Sequence, residues 1–301
     1  MIELMIFVGL MTAAGYAMRR FGIARPELAA DLSKVVFYFT LPPLIFLALR
    51  RADLTWSVLL MPAVAWLYLL GGVLFMLAIT RLFRLSGPKG GALVIVAVFG
   101  NTTFLGYPIV QGFYGDEGLT LAIFYDLLGA SIIVNTIAML VASRLGGQDQ
   151  VKGAQMLRRM LLFPPFWGLI LGLGLRGIEL PGALENVIEV MGSLTTPLIM
   201  LSIGLSLRFS AWREDLGLVA LATFAKLIVF PVIVWAILSA LALPPEMLRV
   251  AVLQVAMPTM FFSLTLALLF GLHKTLVVNT IMVSTLLSFL TLPAWRWLLG
   301  P

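Results

Sequence analysis

The chain has 301 residues, of which 61% are hydrophobic and only 11% charged, and its mean hydropathy is +1.07. Soluble domains of this size carry roughly a quarter charged residues, so the implied solvent is lipid. Having no cysteine and a single histidine, His273, excludes disulfides and thiolate or multi-histidine metal centres; the net charge of +6 is scattered singly between apolar runs, which reads as membrane topology and not as a nucleic-acid surface.

The first apolar run, 2–18, opens with Glu3 and is followed by Arg19 and Arg20, so a spanning helix is expected there and not a cleaved signal peptide. Runs of spanning length continue at 32–49, 57–80, 90–114 and 118–143. A polar connector runs from Arg144 to Arg159, and five further runs lie at 160–176, 184–207, 214–241, 246–270 and 275–299. The expected fold is therefore all-α and integral to the membrane, with ten spans divided into 1–143, a cytoplasmic connector 144–159, and 160–301.

With the N-terminus outside, fourteen basic residues fall in inside loops and five in outside loops, which places both termini on the non-cytoplasmic side of the inner membrane. The two groups of spans echo each other. Leu41-Pro42-Pro43-Leu44-Ile45-Phe46 aligns with Thr195-Thr196-Pro197-Leu198-Ile199-Met200, and Pro108 in the fourth span is matched by Pro258 in the ninth. An odd number of helices per group forces opposite polarity on the second copy, so an inverted repeat is expected.

The fourth span carries Gly100-Asn101-Thr102-Thr103-Phe104-Leu105-Gly106-Tyr107-Pro108, and the ninth carries Gln254-Val255-Ala256-Met257-Pro258-Thr259. Glycine, proline and small polar residues at this density predict broken helices, whose freed backbone groups must find partners in protein or water. The second half-helices are expected to begin near Thr103 and Met257, with unpaired amides of both facing one mid-membrane centre suited to a carboxylate. The plainer alternative is two proline kinks that only shape packing.

These motifs, with Ser284-Thr285-Leu286-Leu287-Ser288 near the end, resemble the auxin efflux carrier family, and the likeness extends over nearly the whole chain. The resemblance implies a scaffold of spans 1, 2, 6 and 7 and a moving unit of spans 3–5 and 8–10. It also implies that spans 4 and 9 cross at their prolines, as in the related bile acid sodium symporters. Asn101, Pro108 and Pro258 match the crossing positions, Asn101 is expected to donate to a substrate carboxylate, and Pro43 and Pro197 would face it from the scaffold. Thr102, Thr103, Met257 and Thr259 complete the candidate substrate site. A homodimer is a further implication of the likeness to the plant carriers.

Two ionisable residues fall inside spans, Asp126 in the fifth and Lys226 in the eighth. A charge there costs at least about 2.5–3.5 kcal/mol, so each requires an interior partner, and their overlapping depths allow a mutual pair with a coupling, gating or purely structural role. Asn135, Gln254, Asn279, Thr102, Thr259 and Ser263 are candidates either for Na⁺ ligation or for interhelical hydrogen bonding. Coupling to Na⁺, to H⁺ or to neither stays open. The expected function is secondary transport of a small organic anion, with an anion channel as the alternative. A membrane-embedded enzyme lacks the usual nucleophile and base sets, and no phosphate-binding GxxxxGK[ST] occurs.

Overall fold

The computed structural model describes residues 2–25, 27–147, 162–207 and 215–300. Among them the regular elements are helices: α1 (Ile2–Arg20), α2 (Leu28–Arg51), α3 (Trp56–Leu82), α4 (Gly87–Val98), α5 (Gly106–Gly146) and α6 (Pro164–Gly174). The second part of the chain adds α7 (Gly182–Ser206), α8 (Leu216–Ala240), α9 (Pro245–Ala256), α10 (Phe262–Phe270) and α11 (Lys274–Leu299). Six of these, α2, α3, α5, α7, α8 and α11, are long and apolar enough to cross a membrane, and α4 and α6 are shorter apolar helices. Hydrogen bonding within each helix is what lets such a chain pass through hydrocarbon, and the protein is a multi-pass helical membrane protein. Most of the expected connector, from residue 148 to 159, lies outside the described residues.

The boundary expected between 114 and 118 is a single residue, Gly115, whose φ of 67° turns the chain inside α5. Wide π turns interrupt α2 at Val36–Thr40, α5 at Tyr125–Ala130 and Val134–Ala138, and α8 at Ala225–Val229. Residues 90–99 and 250–260 are all buried, so α4 and the end of α9 run through the middle of the apolar core. A helix that is apolar on every side belongs there.

Glycines bring several helices to backbone contact. A Cβ on Gly15 of α1 would strike the carbonyl of Leu201 in α7, and one on Gly204 of α7 would strike that of Thr12. A Cβ on Gly168 of α6 would lie 2.6 Å from the Pro42 carbonyl of α2, and Gly146 of α5 abuts the Phe270 carbonyl of α10. Gly112 of α5 differs, because it meets only the flexible tip of Leu4 in α1. Ion pairs tie helix ends: Arg51 to Glu185 at 2.9 Å, and Lys89 to Asp215 at 2.6 Å. His273 caps α11 by accepting from the Leu276 amide at 3.4 Å, with Asp215 Oδ2 3.5 Å away.

Candidate functional site

Both motif segments interrupt their helices. Chain 99–105 separates α4 from α5, and chain 257–261 separates α9 from α10. Phe99 and Met257 leave their helices in extended geometry, with ψ of 116° and 141°. The two loops then pair as an antiparallel bridge between Gly100 and Thr259. Asn101 N–H donates to the Pro258 carbonyl at 2.7 Å, and Met260 N–H donates to the Phe99 carbonyl at 3.1 Å. Each break thus supplies the partners the other needs, which is how irregular backbone survives inside a buried core.

The second half-helices begin later than expected, at Gly106 and Phe262 instead of near Thr103 and Met257, because the bridge holds the intervening residues extended. Much of the expected free amide is consumed: those of Asn101 and Met260 in the bridge, and that of Thr259 on Ser284 Oγ at 3.2 Å. Among the described residues, the amides of Thr102, Thr103, Phe104 and Phe261 have no backbone partner. The prolines differ in position. Pro108 sits in the first turn of α5, where a missing N–H costs no helical hydrogen bond, whereas Pro258 lies in the break itself.

The expected pairing of Asp126 with Lys226 is not formed. Asp126 is buried and accepts three hydrogen bonds, from Thr102 Oγ1 at 2.6 Å, Thr103 Oγ1 at 2.6 Å and Tyr107 OH at 2.9 Å. It therefore holds the first loop from one side, by contacts between neighbouring stretches of the chain. Lys226 lies behind both loops: its ammonium donates to the Val255 carbonyl in the last turn of α9 at 2.5 Å and to Tyr68 OH at 3.2 Å, close against Gly100 of the first loop. Overlapping depth in the membrane does not fix which way a side chain faces, and here the two engage different partners, hydroxyls for Asp126 and a helix-end carbonyl and a phenol for Lys226.

Asn101 and Thr102 are buried at the bridge, and the Asn101 side-chain amide makes no hydrogen bond among the described residues. Thr259 hydrogen-bonds the Val96 carbonyl through Oγ1 at 2.7 Å, which is structural. Gln254 donates to the Ala122 carbonyl at 3.3 Å, while its Oε1 is buried without a partner beside Gly106, where a Cβ would not fit. Asn279 is buried on α11. Asn135 bonds the Ser131 carbonyl of its own helix at 2.8 Å.

Pro43 and Pro197 are half-buried, and their neighbours Leu44 and Thr196 line a cavity of about 620 Å³. That cavity ends short of the bridge, since no residue of either loop lines it. Its wall carries Asp53, Asp116, Glu117, Glu189 and Glu246 against one cation, Arg51, which is itself paired with Glu185 and Glu189.

Two site residues escaped sequence reasoning. Tyr107 and Tyr68 lie at mid-span, where a phenol must find a buried partner, and that requirement was the available signal. Tyr68 OH donates to the Val98 carbonyl at 2.7 Å.

Two mutually paired helix breaks inside a multi-pass helical protein are a plan that broken-helix carriers use, and comparison with known proteins shows a membrane transporter. Residues 1–296 match the family described as membrane transport protein. The chain belongs to that family, the auxin efflux carriers that its motifs resemble. It is 32% identical over 97% of its length to an uncharacterized transporter of Methanothermobacter thermautotrophicus, of which 96% is covered. It is 31% identical over 99% of its length to a transporter of Methanocaldococcus jannaschii, 98% covered, and 25% identical over 93% to YfdV of Escherichia coli, 92% covered.

Proposed function

We propose that this transporter is a secondary carrier for small organic anions, carboxylates above all, which it binds at the paired helix breaks and releases by alternating access. The observation that carries this reading is the state of the first loop. Among the described residues the Asn101 side-chain amide makes no hydrogen bond, and the neighbouring amides of Thr102, Thr103 and Phe104, without backbone partners, precede the N-terminus of α5. Amide hydrogens at a helix start favour negative charge, and a carboxylate matches them in size and sign.

Ten spans as two inverted repeats give this site its symmetry. Support comes from recurring contacts: Asn101 N–H to Pro258 O repeats as Met260 N–H to Phe99 O, and Tyr68 to Val98 O repeats as Lys226 to Val255 O. The residues that correspond, Asn101 with Met260, Phe99 with Pro258, Tyr68 with Lys226 and Val98 with Val255, lie 157–159 positions apart, as duplicated halves require. Both termini would then lie outside the cytoplasm.

Spans 3–5 and 8–10 move against spans 1, 2, 6 and 7. The cavity favours that division, because one wall comes from α2 and α7 and the other from α3, α5 and α9. A channel needs a continuous polar path, and the cavity stops at buried residues.

The test is a thermal-shift screen of the purified protein against mono- and dicarboxylates, indole-3-acetate and malonate included, followed by proteoliposome uptake of each hit. Saturable uptake that shows counterflow, with the shift lost in Asn101→Ala while the ligand-free melt is retained, supports the carrier. Linear, non-exchanging flux, or hits indifferent to Asn101→Ala, would discard it.

A further inference from the structure

Lys226 is wholly buried in the π turn of α8, directly behind the bridge. Among the described residues no carboxylate lies within ion-pair distance of it. Its surroundings are oxygens instead. Nζ donates to the Val255 carbonyl, in the last turn of α9, and to Tyr68 OH, and it sits 5.4 Å from the centre of the Tyr68 ring. Because the Tyr68 hydrogen is committed to the Val98 carbonyl at the end of α4, that phenol can only accept from Lys226. A Cβ on Gly100 would lie 2.9 Å from Nζ and 3.1 Å from the Met257 carbonyl, so the amine is pressed against the bridge itself.

The C-terminal ends of α4 and α9 therefore converge on one small gap, each contributing a carbonyl and the negative end of its dipole. Broken-helix carriers hold Na⁺ in gaps of this kind, with unwound carbonyls and half-helix C-termini as ligands. In this chain the gap is filled by a side chain, and its oxygens are already engaged. A free Na⁺ does not fit there.

We propose that the Lys226 ammonium is a tethered counter-charge: it stands where a coupling cation would otherwise sit, balances the carboxylate held on the other face of the bridge, and makes transport independent of Na⁺ at this site. The balancing role rests on the anion-carrier reading, whereas the occupied gap does not.

Two measurements separate these parts. Thermal melts compare wild type, Lys226→Ala and Lys226→Met in sodium and in choline chloride at equal ionic strength, with methylammonium as a third cation. Wild type melts identically in all three. Lys226→Ala opens the gap and is stabilised by Na⁺ or methylammonium by about 2–4 °C, as expected when a cation binds only the folded state. Lys226→Met refills the gap with an apolar chain and responds to neither. Malonate uptake into proteoliposomes follows the same pattern: equal wild-type rates in Na⁺ and choline, and a loss of about tenfold in Lys226→Ala, a barrier change near 1.4 kcal/mol, recovered by methylammonium.

Na⁺-dependent melting or uptake of wild type overturns the proposal, as does a monodisperse Lys226→Ala protein blind to every cation. If the variants do not fold, the wild-type comparison still decides. If wild type carries no carboxylate, the anion reading falls, and the melts alone judge the occupied gap.

Discussion

The two helix breaks do one job with opposite materials. The first, 99–105, is polar and is anchored by an acid, with three hydroxyls converging on Asp126. The second, 257–261, contains Met257, Pro258 and Met260, and the helix that leads into it is held at its last turn by an amine that reaches the Val255 carbonyl and a phenol. Backbone pairing fixes where the loops touch, while the buried charges fix how each loop is backed. Asymmetry of this kind leaves three successive amides on the first loop without backbone partners, those of Thr102, Thr103 and Phe104, while on the second that of Phe261 lacks one and that of Thr259 goes to Ser284, among the described residues.

Breaking the acid anchor has the largest expected effect. Asp126→Ala leaves three hydroxyls without their acceptor and destabilises the protein by about 3–5 kcal/mol, with uptake lost. Detergent melts and uptake assays check this, and a melt within experimental error of wild type would refute the anchor. The loss would not come from stranding Lys226, which has partners of its own. Thr103→Val removes one bond to the carboxylate and costs about 2 kcal/mol by the same measurement. On the amine side, Tyr68→Phe unties Lys226 from the Val98 carbonyl at about 1–2 kcal/mol, and it shifts the melt less than Thr103→Val combined with Tyr107→Phe. Thr259→Val, which loses a neutral bond to Val96, is the mildest at about 1 kcal/mol and leaves substrate affinity unchanged in the thermal-shift titration. If Thr259→Val proved costlier than Thr103→Val, the contrast between the two loops would be reversed.

Much of this was legible in the residues. Hydropathy marked the apolar stretches, and the crowding of glycine, proline and asparagine at 100–108 located a helix break, because those residues are costly in an uninterrupted membrane helix. The break at 257–261 was visible from Pro258 and its repeat spacing. The start of each following helix was misplaced toward the N-terminus, at Thr103 and Met257, since nothing local announces that a segment will be held extended by a partner some 160 residues away. The π turns that carry Asp126 and Lys226 were also invisible. A wide turn rotates everything after it, so a helical wheel drawn at regular pitch cannot say which partners these two side chains reach. The acidic wall of the cavity is scattered over four stretches of chain and becomes a feature only when folded.

The glycine contacts have a mechanical consequence. Where Gly15 and Gly204 let α1 and α7 touch through their backbones, and Gly168 does the same for α6 and α2, the surfaces mesh at the level of the main chain and have no deformable layer between them. Such joints resist sliding, because any displacement drives carbonyl into Cα. At Gly112 the opposing surface is the tip of Leu4, a side chain that can change rotamer and let its neighbour pass. Stiff seams and yielding seams thus coexist in one molecule, and the movement proposed above would have to pass where a side chain serves as the bearing.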